Sequence, residues 1–143
     1  MAHTVIVKEA EETLLETIAV CRKVNLPLRA IHIECAKIAD KPKDWCARTL
    51  KAVGEVMEDT DAIAYVCEDD DLFILSRVAT HKTVLRVLGS LPKDLVPAPA
   101  PGLAHLFEVH IEGQILTEIV QEKILEKQRR AAWKEQVTAS RNG

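Results

Sequence analysis

Two short apolar runs, Ala62-Ile-Ala-Tyr-Val-Cys67 and Leu72-Phe-Ile-Leu-Ser76, flank Glu68-Asp-Asp-Asp71. Runs this short, rich in branched and aromatic side chains and bounded by a polar cluster, read as strands rather than helix. A link of only four acids leaves room for nothing but a tight reversal, so the two strands must close as an antiparallel hairpin. The turn itself is unusual. Hairpin turns commonly take glycine because a positive φ is easy only without a Cβ, and none is present here.

The segments around the hairpin extend the pattern. Leu28 to Cys35 alternates, with Ile31, Ile33 and Cys35 on one face and Ala30, His32 and Glu34 on the other, which predicts a half-buried strand. Asp40 is read as the N-cap of a helix with Pro42 in its first turn and Cys46, Leu50, Val53 and Met57 as its apolar stripe. Thr80 is read as the cap of a second helix carrying Val84, Leu85, Val87, Leu88 and Leu91, stopped by Pro92. After a stiff Pro97–Gly102 connector, Leu106 to Ile111 alternates as a last strand, with Gly113 ending it.

From Leu28 onward the order is strand, helix, strand, strand, helix, strand. That is the ferredoxin-like βαββαβ frame, an α+β fold with an antiparallel sheet and both helices on one face. We expect three parts: an N-terminal strand and helix in residues 1–27, the ferredoxin-like domain in 28–113, and a C-terminal amphipathic helix in 114–143.

Charge and composition exclude some functions. A net charge of −3 and five aromatic residues in 143 argue against the basic, stacking surfaces that nucleic acids require. No apolar run reaches the roughly 20 residues of a membrane span, and the start of the chain turns acidic too soon for a signal peptide. A cytoplasmic protein without a membrane partner is expected. Cys21, Cys35, Cys46 and Cys67 form no Cys-x-x-Cys pair and read as reduced core residues.

On this frame Glu34, near the end of one strand, approaches the acidic turn. Carboxylates from two sides are how a divalent cation is held beside a phosphate. Here the hairpin resembles the signature of the GGDEF diguanylate cyclases, Asp-x-x-x-Arg-x-Gly-Gly-Asp-Glu-Phe-x-Ile-Leu, without a gap. Asp61 takes the leading Asp, Cys67 to Asp71 take the five signature positions, and Phe73, Ile74 and Leu75 supply the strand that follows. Glu34 and Ile38 are similar to the first Asp and the Phe of the family's upstream Asp-x-Asp-x-Phe-Lys segment.

The departures bear on activity. Cys67 and Glu68 replace the glycines that let backbone approach GTP, Tyr65 replaces the Arg, and Ala36 and Ala39 replace the second Asp and the Lys. Glu58 stands where the product-binding Arg would be, and Ala47 about where a guanine-contacting Asp would be. The resemblance therefore implies a degenerate domain that is not an enzyme. Glu34, Asp69 and Asp70 are its ligand or metal candidates, and no cofactor is expected beyond a weak Mg²⁺ site.

His32, Glu108 and His110 are expected on an open sheet face. They could join Glu34 in a transition-metal site, although such residues more often mark the solvated side of a one-sided sheet. The terminal helix has a thin stripe of Leu116, Val120 and Ile124, with Arg129, Arg130 and Trp133 beyond it. Such a polar helix is marginal unless docked, on its own domain or on a partner. The expected function is a non-catalytic signalling or scaffolding module that binds a protein partner or itself. The alternative is a sensor of nucleotides or cyclic dinucleotides with a residual Mg²⁺ site.

Overall fold

The computed structural model describes residues 4–38, 40–57, 61–91, 93 and 101–142. Most of the Pro97–Gly102 connector lies outside these residues, as do the expected helix stop Pro92 and the compared positions Ala39 and Glu58. The chain runs β1 (Thr4–Lys8), α1 (Glu11–Lys23), β2 (Arg29–Ile33), α2 (Trp45–Val56), β3 (Ala62–Val66), β4 (Leu72–Ser76), α3 (His81–Ser90), β5 (Ala104–Glu108) and α4 (Val109–Asn142). It is an α+β protein. Its five-stranded sheet has the order β1-β3-β4-β2-β5. β1 runs parallel to β3, and every other neighbouring pair is antiparallel, so the sheet is mixed.

One face of the sheet matches the sequence pattern. Ile31, Ile33, Ala64, Val66, Leu72 and Ile74 meet Leu50 and Val53 of α2 and Val84, Val87 and Leu88 of α3 in one apolar cluster. Thr80 caps α3 as expected, its hydroxyl accepting from Thr83 N–H while Thr83 Oγ1 accepts from Thr80 N–H.

The two helices of the expected frame, α2 and α3, share that side, but the other face is also covered, which corrects the expectation of an open sheet face. Ala30, Tyr65, Phe73 and Leu75 pack beneath Leu14, Ile18 and Cys21 of α1 and Val109, Leu116 and Val120 of α4. The segment from Thr4 to Lys23 is thereby joined to the sheet, through β1 beside β3 and through α1 beneath α4. The runs AIAYV and LFIL are apolar at every position because the central strands are buried on both sides.

Two boundaries also move. Asp40 does not cap α2: it has φ 54° in the preceding loop, and the helix starts at Trp45. Lys41 closes that loop instead, its Nζ donating to the Cys35 and Ile38 carbonyls. β5 ends at Glu108, and residues 109–111 turn into α4, because Val109 buries its side chain and donates its N–H to Leu28 O. An alternating pattern a few residues long fits a first helical turn as well as a strand. Glu112 forms a non-helical joint in α4, and its Oε1 accepts from Glu108 N–H at 2.8 Å. Gly113 therefore ends no strand. A Cβ there would collide with the Arg22 side chain, so this glycine permits the close approach of α1 and α4.

Candidate functional site

The glycine-free turn is solved by Asp70, which itself takes φ 79°. Asp is among the side chains that tolerate the left-handed region. Cys67 N–H donates to Asp71 O at 2.9 Å and Asp70 N–H to Cys67 O at 3.0 Å, which closes a three-residue loop. Asp69 Oδ1 accepts from Asp71 N–H, and Glu68 N–H donates to the buried Glu11 of α1.

The four acids face cations from elsewhere in the chain. Lys123 of α4 bridges Asp69 Oδ2 at 2.5 Å and Asp71 Oδ2 at 2.7 Å. Arg130 lies 3.5 Å from Glu68, and Lys41 lies 3.6 Å from Asp70. The acidic turn is thus a docking point for the C-terminal helix. Sequence reading singled out Asp69 and Asp70, but the buried member is Asp71, 3 % exposed.

Asp71 also orders β2. His32 Nε2 lies 2.8 Å from Asp71 Oδ2, Ala36 N–H donates to Asp71 Oδ1, and the His32 ring stacks on Phe73 with centroids 4.2 Å apart. Burial by itself would raise the Asp71 carboxyl. The hydrogen bonds from His32, Lys123 and Ala36 outweigh it and lower the pKa to about 2. An ionised carboxylate only accepts, so His32 Nε2–H is the donor. Lys123 shows the mirror effect: burial opposes its charge, and bonds to Asp69 and Asp71 raise its pKa.

His32 is therefore not on an open face. It is 4 % exposed, and α4 covers that side of the sheet. Its cross-strand neighbour is His105, whose Nε2 lies 3.3 Å from Glu34. Glu34 also accepts from Lys37 at 2.9 Å, and these bonds lower its pKa although burial opposes them. Glu34, Asp69 and Asp70 each have a lysine partner, and no group of three His, Cys, Asp or Glu able to hold a metal occurs among the described residues.

Glu108 and His110 lie elsewhere. Together with Arg29 and Arg77 they line a separate cleft of about 500 Å³, and Glu108 is 3.6 Å from Arg29. The partner candidates on α4 divide in two. Leu116 and Val120 are buried against the domain itself and Ile124 packs beside them, which assigns that stripe to the protein's own core. Arg129 and Trp133 are exposed, Trp133 at 67 %.

His32, Asp71 and Lys123 open onto a cleft of about 780 Å³ between β5 and α4. His105, Lys123 and Asp71 were the residues missed from the sequence. Strand parity already placed Asp71 on the face of Phe73 and Leu75, but no local signal brings Lys123 there from 52 residues away. Cys35 and Cys67 are buried close to the turn, and burial pushes the Cys35 thiol up to about 12 and Cys67 up as well, so neither is a ready nucleophile. Comparison with family models, with curated proteins and with solved structures finds no match to this chain.

Proposed function

We propose that the chain is a non-catalytic signalling or scaffolding module that associates with a second copy of itself through the outer face of α4. The observation carrying this reading is an exposed stripe on a charge-segregated helix. Beyond the Glu112 joint, Ile115, Leu125 and Trp133 recur at helical spacing and are 45–67 % exposed. α4 has 34 residues, about 51 Å at 1.5 Å per residue, and its last turns have no cover.

Between 109 and 126 the helix carries Glu112, Glu118, Glu122 and Glu126 against Lys123. From 127 it carries Lys127, Arg129, Arg130, Lys134 and Arg141 against Glu135. Two such helices laid antiparallel set the acidic half of each against the basic half of the other. One two-fold axis then satisfies both ends and closes the assembly as a dimer.

The order β3-β4-β2-β5, antiparallel throughout, supports reading residues 28–113 as a ferredoxin-like frame. The buried Cys67 and the lysine-paired acids support the resemblance to a cyclase domain that has lost its substrate. A nucleotide sensor is the weaker reading, because half of the residues lining the cleft of about 780 Å³ are carboxylates and only Lys123 and Arg130 are lysine or arginine.

Sedimentation velocity tests the proposal. The full chain should sediment as a dimer, and a chain cut after Lys127, which keeps Leu116 and Val120, as a monomer. Unchanged sedimentation of the shortened chain sinks it. A mixture of Arg129→Glu/Lys134→Glu with Glu118→Lys/Glu122→Lys should associate, while each variant alone should not.

A further inference from the structure

Four strand ends meet at the end of the sheet away from the acidic turn. Arg29 opens β2 opposite Ser76 and Glu108, and Ala62 opens β3 opposite Ser76, so Asp61 and Arg77 stand one step beyond that last pair. Arg29, Asp61, Arg77, Glu108 and His110 line a cleft of about 500 Å³ there, within the roughly 300–1,000 Å³ of small-ligand sites. Pro27 and Val78 give it an apolar wall, Val78 being 61 % exposed.

The charges in this cleft are unevenly paired. Arg29 Nη1 donates to Ala79 O at 2.8 Å and its Nη2 lies 3.6 Å from Glu108, so this guanidinium is held in place. Asp61 has an interaction of its own. Arg77 is exposed and makes no hydrogen bond or ion pair among the described residues. One positive charge is left to meet a ligand.

His110 adds an independent feature. Its Nδ1 is buried without a hydrogen-bond partner. A proton there would be a buried donor with no acceptor, which favours Nε2 as the protonated nitrogen of a neutral ring, and a charged ring carries a proton on Nε2 as well. In either state Nε2–H is a donor, and no group among the described residues accepts from it. A carboxylate matches both features. Its two oxygens fit the fork of a guanidinium, and one of them can also accept from an imidazole N–H. A phosphate dianion fits less well, because Asp61 and Glu108 face the same space.

We propose that this cleft binds a small monocarboxylate, one carboxylate on an aromatic or aliphatic body. The carboxylate takes the Arg77 fork and accepts from His110 Nε2–H, and the body rests on Val78 and Pro27. The site stands apart from self-association, since it needs one copy of the chain and uses none of Ile115, Leu125 and Trp133.

Benzoate and benzamide differ at the charged group alone, and both are titrated into the full ¹⁵N-labelled chain by NMR, with inorganic phosphate as a third probe. Benzoate should shift the Arg77, Val78 and His110 amides saturably, and benzamide should bind about tenfold more weakly or not at all, as expected for loss of a charged hydrogen bond. Arg77→Gln, at an exposed position, should weaken benzoate about tenfold, and Arg77→Lys severalfold, because the charge stays while the fork goes. His110→Phe keeps a ring and removes the buried unpaired nitrogen, so the fold stands, and it should weaken benzoate severalfold. Equal affinity for benzoate and benzamide, shifts that do not saturate, tighter binding of phosphate, or unchanged benzoate affinity in Arg77→Gln would each overturn the proposal.

Discussion

The two faces of the sheet are built from the same strands but differ in kind. On one, α2 and α3 cover a mainly apolar cluster, with Thr49 of α2 as a buried uncharged polar residue. On the other, α1 and α4 cover Phe73 and Leu75, together with the buried His32, Asp71 and Glu11 and a Tyr65–Thr17 hydroxyl pair at 3.0 Å. The dry face gains from area removed from water, which needs no particular partner. The polar face holds together only where each charge meets its counter-charge, so its geometry is more specific and its stability depends on pH. The cleft of about 780 Å³ opens on this polar face, beside His32, Asp71 and Lys123.

Substitutions can test that contrast directly. Ile74→Ala, at a fully buried site on the dry face, should cost about 3 kcal/mol in urea denaturation, with little change between pH 7 and pH 3. Asp71→Asn on the polar face should cost about 2 kcal/mol at pH 7, because it uncouples His32 and Lys123. That cost should shrink in acid. The folded chain holds the Asp71 pKa at about 2, below the ordinary 3.8, so its stabilisation is complete above about pH 4 and is lost as pH falls through about 2. A stability difference between the native chain and the Asp71→Asn variant that persists unchanged below about pH 2 would show that ionisation is not its source. Trp133→Ala, beyond both faces, should change monomer stability by less than about 0.5 kcal/mol while weakening self-association in sedimentation.

Much of the fold was legible because strand and helix periods are local. The hairpin, the two faces of β2 and the Thr80 cap follow from residues within a few positions of one another. The error at residues 109–111 has the same origin, since a short alternating stretch satisfies either period until burial of Val109 decides it. The second covered face was also written in the chain. Tyr65, Phe73 and Leu75 are apolar where a solvated face would show polar residues.

The site was less legible. Glu34, Asp69 and Asp70 read as acids able to share a cation, yet Lys37, Lys123 and Lys41 face them, Lys123 shared with Asp71. Lys123 had no mark of its role, since one cation in a polar helix looks like any other until the helix is docked. Local periods in the chain set most of the strands and helices and which of their side chains share a face, because backbone geometry repeats over two or 3.6 residues whatever lies elsewhere. Only the tertiary structure decided that α4 lies over His32 and closes the acidic turn with Lys123 and Arg130. That docking sums many small contacts and a few charge pairs between segments distant in sequence, and no local pattern encodes the sum.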